Sequence, residues 1–236
     1  MRIRTWLFYG FTLFFPFVAA LFYFVIFSGS AWMRPSYIAA KVLQFCFPLV
    51  YSHWITQRSI SIRAPKRRGL LIGLLLGVIL DVVILGAYYG YYRRQEWMQQ
   101  VGQRVWTKIM EIGAETPFRF LGLALFLSIA HALLEEYYWR WFTYTELSRL
   151  LSGWFAVLIT NVAFTLHHII VLAVYIPAMH FWPHGALFSL GVLVGGIIWS
   201  LLYRYTGSIY SAWCSHVVVD LALMYIGYDL CRGYWQ

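Results

Sequence analysis

Four of the nine acidic residues in this 236-residue chain lie inside apolar runs: Asp81, Glu135, Glu136 and Asp220. An ionisable group at mid-membrane costs roughly 2.5–3.5 kcal/mol on insertion scales, so four left bare would cost on the order of 10 kcal/mol. That equals the net stability of a whole domain. Such groups must be paired, protonated, hydrated or functional. The densest cluster reads His131-Ala-Leu-Leu-Glu135-Glu136-Tyr-Tyr-Trp-Arg140. Glu136 and Arg140 stand four apart, in the favourable order for an ion pair on a helix. Glu135 points about 100° away from Glu136 and has no cation at i+4, while His131 stands one turn before it. One glutamate is thus neutralised locally and the other is available for chemistry. A carboxylate in apolar surroundings suits a general base working near neutral pH. The plainer reading is a buried charge cluster that locks two helices together.

Two further apolar runs carry polar patches. In Asn161-Val-Ala-Phe164-Thr-Leu-His167-His168, the residues Asn161, Phe164 and His168 share one stripe by their 3–4 spacing. The two adjacent histidines point in different directions, so one of them at most is expected to face a given site. In the last run, His216 and Asp220 are i,i+4 on one face. A carboxylate beside an imidazole fixes its tautomer and raises its basicity. The economical arrangement is one polar cavity where these three helices meet.

The elements that must position these groups are membrane helices. The chain is 61% hydrophobic, 20% aromatic and 11% charged, far from the roughly 45–50% apolar and 25% charged of a soluble domain. The fold class expected is all-α: a polytopic membrane bundle of about seven transmembrane helices plus one interfacial amphipathic helix. Spans are expected from Trp6 to Phe27, Tyr37 to Trp54, Gly69 to Tyr89, and at 117–142, 153–176, 185–205 and 208–228. Lys41, near an end of the second, is expected to snorkel. In the third, Gly69, Gly73 and Gly77 recur at i+4 with Asp81 after them, and small residues at that spacing let another helix approach. Asp81 is expected to pair there with a buried polar group. Trp97, Val101, Val105, Ile109 and Ile112 form the stripe of the interfacial helix. The division expected is 1–116 for the N-terminal helices, 117–228 for the catalytic core and 229–236 for a short tail.

The net charge of +9 needs no nucleic acid, because basic residues near membrane ends follow from topology and anionic lipid. Arg58, Arg63, Lys66, Arg67 and Arg68 mark a cytoplasmic side. A seven-span count then leaves Arg93, Arg94, Arg104, Lys108 and Arg119 outside, against that rule, and puts Glu135 nearer the cytoplasmic end of its helix.

The three motifs together resemble the signature of the CPBP family, the type II CAAX prenyl endopeptidases and related bacteriocin-processing proteins also called Abi-domain proteins. They read Glu135-Glu136…Arg140, Phe164…His168 and His216…Asp220, with 33 and 48 residues separating Glu135, His168 and His216. The resemblance implies a glutamate-dependent intramembrane protease. In it Glu135 activates water, His168 helps hold that water, and His216 with Asp220 surrounds the developing oxyanion. Glu136 and Arg140 shape the site and Phe164 packs beside His168. Many members carry Asn where this chain has Asp220. An amide donates a hydrogen bond to an oxyanion and an ionised carboxylate does not, so Asp220 is protonated or orients His216.

The resemblance implies no metal cofactor. Zinc held by Glu135, His168 and His216 is the alternative, although the His-Glu-x-x-His of many zinc peptidases is missing. The expected partners are membrane lipid and a membrane-attached peptide or protein substrate, with no nucleic acid, and the expected location is a bacterial or archaeal cell membrane. Two other classes compete: a non-catalytic immunity or scaffold protein of the same fold, and a proton relay through Asp81, Glu135, His168 and His216.

Overall fold

The computed structural model describes residues 2–57 and 62–235; Arg58 of the basic loop falls outside them. Helix α1 is Arg2–Leu21, extended by a wide π-helical turn, Phe22–Ile26. Helix α2 is Met33–Val50, extended likewise over Tyr51–Ile55. Then follow α3 (Arg67–Gly90) and α4 (Trp97–Ile112). Helix α5 runs through Pro117–Leu147 and α6 is Gly153–Tyr175. Helix α7 occupies Ala178–Thr206 and α8 is Ile209–Leu230. The described residues form no strand. The stretch after Pro177, expected as a loop, is already helical from Ala178 because its prolines sit in the first turns of a helix rather than in its interior.

Six of these helices are long and apolar enough to cross a membrane, and α2 is not among them. The expected seven is therefore six by length and composition. Arg34, Lys41, Gln44 and Pro48 dilute the apolar run of α2. Yet α2 lies antiparallel along α1: Tyr37 meets Tyr23 near one end and Tyr51 stacks on Phe8 near the other, at ring-centroid distances of 5.0 and 3.8 Å. It belongs to the bundle because the polar residues along its middle face protein: Gln44 is fully covered and Lys41 lines the cavity described below.

The glycine stripe packs as expected. Gly69, Gly73 and Gly77 press α3 against α8, and a Cβ on Gly73 would stand 2.1 Å from the Ser211 carbonyl oxygen. Gly73→Ala must therefore push two helices apart. It is expected to cost about 1–3 kcal/mol, read as a lower melting temperature of the detergent-solubilised protein. Gly86→Ala, in the same helix with nothing within 4 Å of the new methyl, is the control expected to leave that temperature unchanged or slightly raised. Asp81 departs from expectation. Its Oδ1 is buried with no hydrogen-bond partner among the described residues, because α8 presents Val218 to this stretch of α3 and turns its own carboxylate, Asp220, into the cavity described below.

Helix α4 is amphipathic, but its apolar face rests on protein. Trp97, Met98, Val101 and Ile109 are buried against Tyr88, Tyr92, Ile176 and Phe120, and Gly102 lets the α8 backbone at Leu230 come close. Ile112, expected in the stripe, is exposed, since the apolar groups that cover the stripe stop at Ala114 and Phe120. Helix α4 thus caps one end of the bundle. The basic residues that conflicted with the charge rule gather at this end, and all of them but the exposed Arg94 are engaged there. Arg93 pairs with Asp229 at 2.8 Å and Arg119 with Glu115 at 2.9 Å, Lys108 pairs with Glu111, and Arg104 donates to the carbonyls of Val174 and Ile176.

Candidate active site

Helix α5 begins at Pro117, where the Thr116 side chain accepts the Arg119 N–H. It carries the glutamate pair between two stretches of π-helical turn, Phe126–His131 and Tyr137–Tyr144. Such widened turns are frequent at functional sites. Here threonines satisfy the loosened backbone: the Thr143 hydroxyl donates to the Tyr138 carbonyl at 2.9 Å and that of Thr145 to the Arg140 carbonyl at 3.1 Å.

Glu136 and Arg140 are both fully buried, and Arg140 Nη1 donates to Glu136 Oε1 at 2.9 Å. Arg140 Nη2 donates to Asn161 Oδ1 on α6 and to the Gly196 carbonyl on α7, at 3.2 and 3.0 Å. Its guanidinium also lies over the rings of Phe164 and Trp199, 4.9 and 5.3 Å from their centroids. One cation therefore ties three helices together. The close approach needs Gly196, where a Cβ would stand 2.5 Å from Asn161 Oδ1.

The same Glu136 oxygen accepts from His216 Nδ1 at 2.8 Å. A carboxylate at that nitrogen puts the Nδ1 proton there and aims Nε2 into the cavity. Nε2 then lies 3.8 Å from Glu135 Oε2 and 3.6 Å from Asp220 Oδ1. Trp199 stacks on the His216 ring at 3.8 Å and 16°, while its own N–H donates to Ser215 Oγ. The ring is thus fixed in plane and direction, with a proton held on Nδ1. Its orienting carboxylate is Glu136 on a neighbouring helix, whereas the sequence pointed to Asp220.

Glu135 is 5% exposed and meets imidazoles from three helices. His131 Nε2 and His167 Nε2 lie 3.5 and 3.6 Å from its Oε1. His168 stands beside His167, with ring centroids 4.0 Å apart. Its Nδ1 lies 2.9 Å from the Phe164 carbonyl, which can only accept, so Nδ1 carries the proton and a neutral ring keeps its lone pair on Nε2. Both adjacent histidines therefore reach the site, against the expectation that one at most would. Trp139 stacks on His167 at 5.6 Å and 3°, holding it in place while Phe164 packs on His168. Glu135, His167 and His168 offer ligand atoms within 4.8 Å of one another. This set differs from the expected Glu135, His168 and His216, because the Glu136 bond draws His216 towards the far side of the carboxylate.

These groups line a cavity of about 280 Å³ whose wall also includes Asp220, Tyr23, Tyr37 and Lys41. Lys41 does not snorkel outward. Its ammonium donates to Gln44 Oε1 at 3.4 Å and lies over the Tyr37 and Phe45 rings. From Glu135 the cavity extends past Leu127, Val171, Leu223 and Met224, all on the halves of their helices nearer α4. The site therefore looks towards the α4 end of the bundle, away from the end that holds the basic loop.

The residues named from sequence thus lie together, with Glu136 bonded to Arg140 and His216 and with Phe164 against His168. Sequence reasoning missed His167, Trp199 and Lys41. The Gly195-Gly196-x-x-Trp199 run was a signal for one of these, since paired glycines one turn before a tryptophan mark a close helix approach.

A family model described as "Type II CAAX prenyl endopeptidase Rce1-like" matches residues 117–222, the segment that contains α5, α6, α7 and the start of α8. No curated protein and no solved structure matches the chain. The matched segment contains the glutamate pair with its arginine, the Phe164–His168 turn and the His216–Asp220 turn, and the fold closes them around one buried carboxylate. Over that segment, somewhat under half of the chain, the sequence is similar to the type II CAAX prenyl endopeptidase Rce1-like family.

Proposed function

We propose that the chain hydrolyses a peptide bond in a membrane-attached substrate, with Glu135 as the general base. The observation that carries this reading is the division of labour between adjacent glutamates. Glu136 is held by Arg140 and His216, while Glu135 faces the cavity and, among the described residues, has no cationic side chain bonded to it other than histidine. Glu135 takes a proton from water as the oxygen attacks the scissile carbonyl, and the lone pair of His168 Nε2 accepts the other water proton as a hydrogen bond. The oxyanion forms beside His216, whose protonated Nε2 donates to it while Glu136 balances the imidazolium from Nδ1. Protonated Asp220 supplies a second donor. Glu135 then returns its proton to the leaving amine.

A cavity of about 280 Å³ is at the small end of ligand sites, so it takes an extended peptide rather than a folded domain. A lipidated tail, a leader peptide or a sorting tail all meet that description. The name of the matched family adds CAAX-type tails to the candidates.

The Glu135, His167 and His168 set is close enough to hold a zinc ion, and zinc would supply Lewis-acid polarisation of the carbonyl. A carboxylate spent on a metal does not serve as base, so we assign Glu135 to water directly. The test is proteolysis of a membrane-anchored peptide in proteoliposomes, with metal content measured on the same sample. Full turnover with substoichiometric metal and after chelation is expected. Turnover that rises and falls with one zinc per chain would reassign Glu135 and His168 as ligands.

A further inference from the structure

At the opposite end of the bundle from the mouth of the active site lies a second cavity, of about 540 Å³. Its walls come from the segment before α3 and from α5, α7 and α8: Arg63, Trp141, Tyr144, Tyr203, Arg204 and Gly207. None of these residues takes part in the chemistry above. Two guanidiniums face this space, and neither pairs with a carboxylate among the described residues. Arg204 instead lies over the ring of Trp154, 5.6 Å from its centroid. The turn between α7 and α8 is tight: Gly207 adopts φ +68°, and a Cβ there would stand 2.9 Å from Arg63 Nη1. Ser208 Oγ donates to the Arg63 carbonyl at 3.0 Å, which fixes that arginine's backbone to the turn.

The depth of the cavity follows from its neighbours. Trp154 is 64% exposed and Tyr205 65%, at the ends of apolar spans. Exposed tryptophan and tyrosine at such ends occupy the headgroup level of a bilayer. A planar guanidinium fork matches a phosphate bidentately, and the Tyr144 hydroxyl adds a donor, that of Tyr203 being turned to Thr145 Oγ1 at 3.3 Å. A volume of about 540 Å³ lies well within the range of small-ligand sites.

We infer that this cavity is a binding site for a phosphate anion, presented as the headgroup of an anionic phospholipid and clamped between Arg63 and Arg204. It is independent of the proteolytic reading. Lys66 and Arg67 lie at the same end, exposed, and outside the cavity walls. They separate a built site from general attraction to an acidic surface.

The experiment titrates phosphatidylglycerol, phosphatidylcholine and inorganic phosphate into the delipidated, detergent-solubilised full chain, with binding read by native mass spectrometry. Phosphatidylglycerol is expected to bind one per chain and phosphatidylcholine far more weakly. The Arg63→Gln/Arg204→Gln variant is expected to weaken phosphatidylglycerol roughly 30-fold, at a charge contribution near 1 kcal/mol for each arginine. The Lys66→Gln/Arg67→Gln variant carries the same change in charge and is expected to bind like wild type. Equal loss in both variants, no loss in either, or equal binding of phosphatidylcholine overturns the site. Displacement of the lipid by inorganic phosphate at equal concentration keeps the anion site and overturns the lipid as its source. Melting temperatures of both variants near that of wild type confirm that binding, not folding, has been read.

Discussion

Glu135→Gln is expected to lower turnover by about 10³–10⁴-fold, the upper part of the roughly 10²–10⁴-fold that a positioned general base contributes. Glutamine keeps the length and shape of the side chain and can hydrogen-bond to the imidazoles of His131 and His167, which stand 3.5 and 3.6 Å from the carboxylate. What it loses is the ability to take a proton from water. The melting temperature of the variant is expected to stay within a few degrees of wild type, since the carboxylate joins no cation tighter than those histidines. Glu135→Asp is the informative partner. It keeps the base but withdraws it by one methylene, and a misplacement of about 1 Å costs on the order of 10²-fold. The account thus expects an ordered series, wild type above Asp above Gln, in kcat measured on purified protein in liposomes. Retention of more than about a tenth of the activity by the glutamine variant, far short of the worth of a general base, would mean that the base is elsewhere.

The second large effect is on stability. Arg140→Leu removes the cation that joins Glu136, Asn161 and the Gly196 carbonyl across three helices. Glu136, fully buried, then keeps a single partner in His216. Breaking a buried pair from one side strands the other charge and costs about 3–5 kcal/mol. That corresponds to a melting temperature lower by on the order of 10 °C for a chain of this size. The double variant Glu136→Leu/Arg140→Leu leaves neither member of the ion pair stranded, and His216 can shed its proton. It is expected to recover much of the lost stability yet remain inactive, because His216 has lost the carboxylate that fixes its Nδ1 proton. A double variant no more stable than Arg140→Leu would show that the arginine acts through its contacts to α6 and α7 rather than by neutralising Glu136.

These groups were legible in the sequence to different depths, for physical reasons. Glu135, Glu136, Arg140, His168, His216 and Asp220 stand out because polar residues in apolar helices are costly, and the 3.6-residue period says which of them share a face. The Glu136–Arg140 pair follows from spacing alone. The hold of Glu136 on His216 does not, since the two residues are 80 apart in sequence. Asp220, four residues from His216, was the visible candidate for a task that a distant carboxylate performs. His167 was set aside because adjacent helical residues diverge by about 100°. A cavity that wraps round α6 accepts both rings, and the stacked Trp139 keeps His167 turned inward. Lys41 was read as reaching for water from a helix end, and the rings of Tyr37 and Phe45 draw it into the cavity wall instead. For α4, an amphipathic stripe looks the same whether lipid or protein covers it, so only the packing of Trp97 and Ile109 against the bundle decides.

The central claim, that this chain cuts membrane-attached proteins by means of Glu135, is tested most directly by comparing protein termini in host membranes. One strain carries the wild-type chain and the other Glu135→Gln, at matched expression. The account predicts a set of new termini that appears only with the wild type and maps close to membrane-attached segments. Identical termini in the two strains, with the variant still restoring whatever function loss of the gene removes, would contradict it and put a non-catalytic scaffold of the same fold in its place.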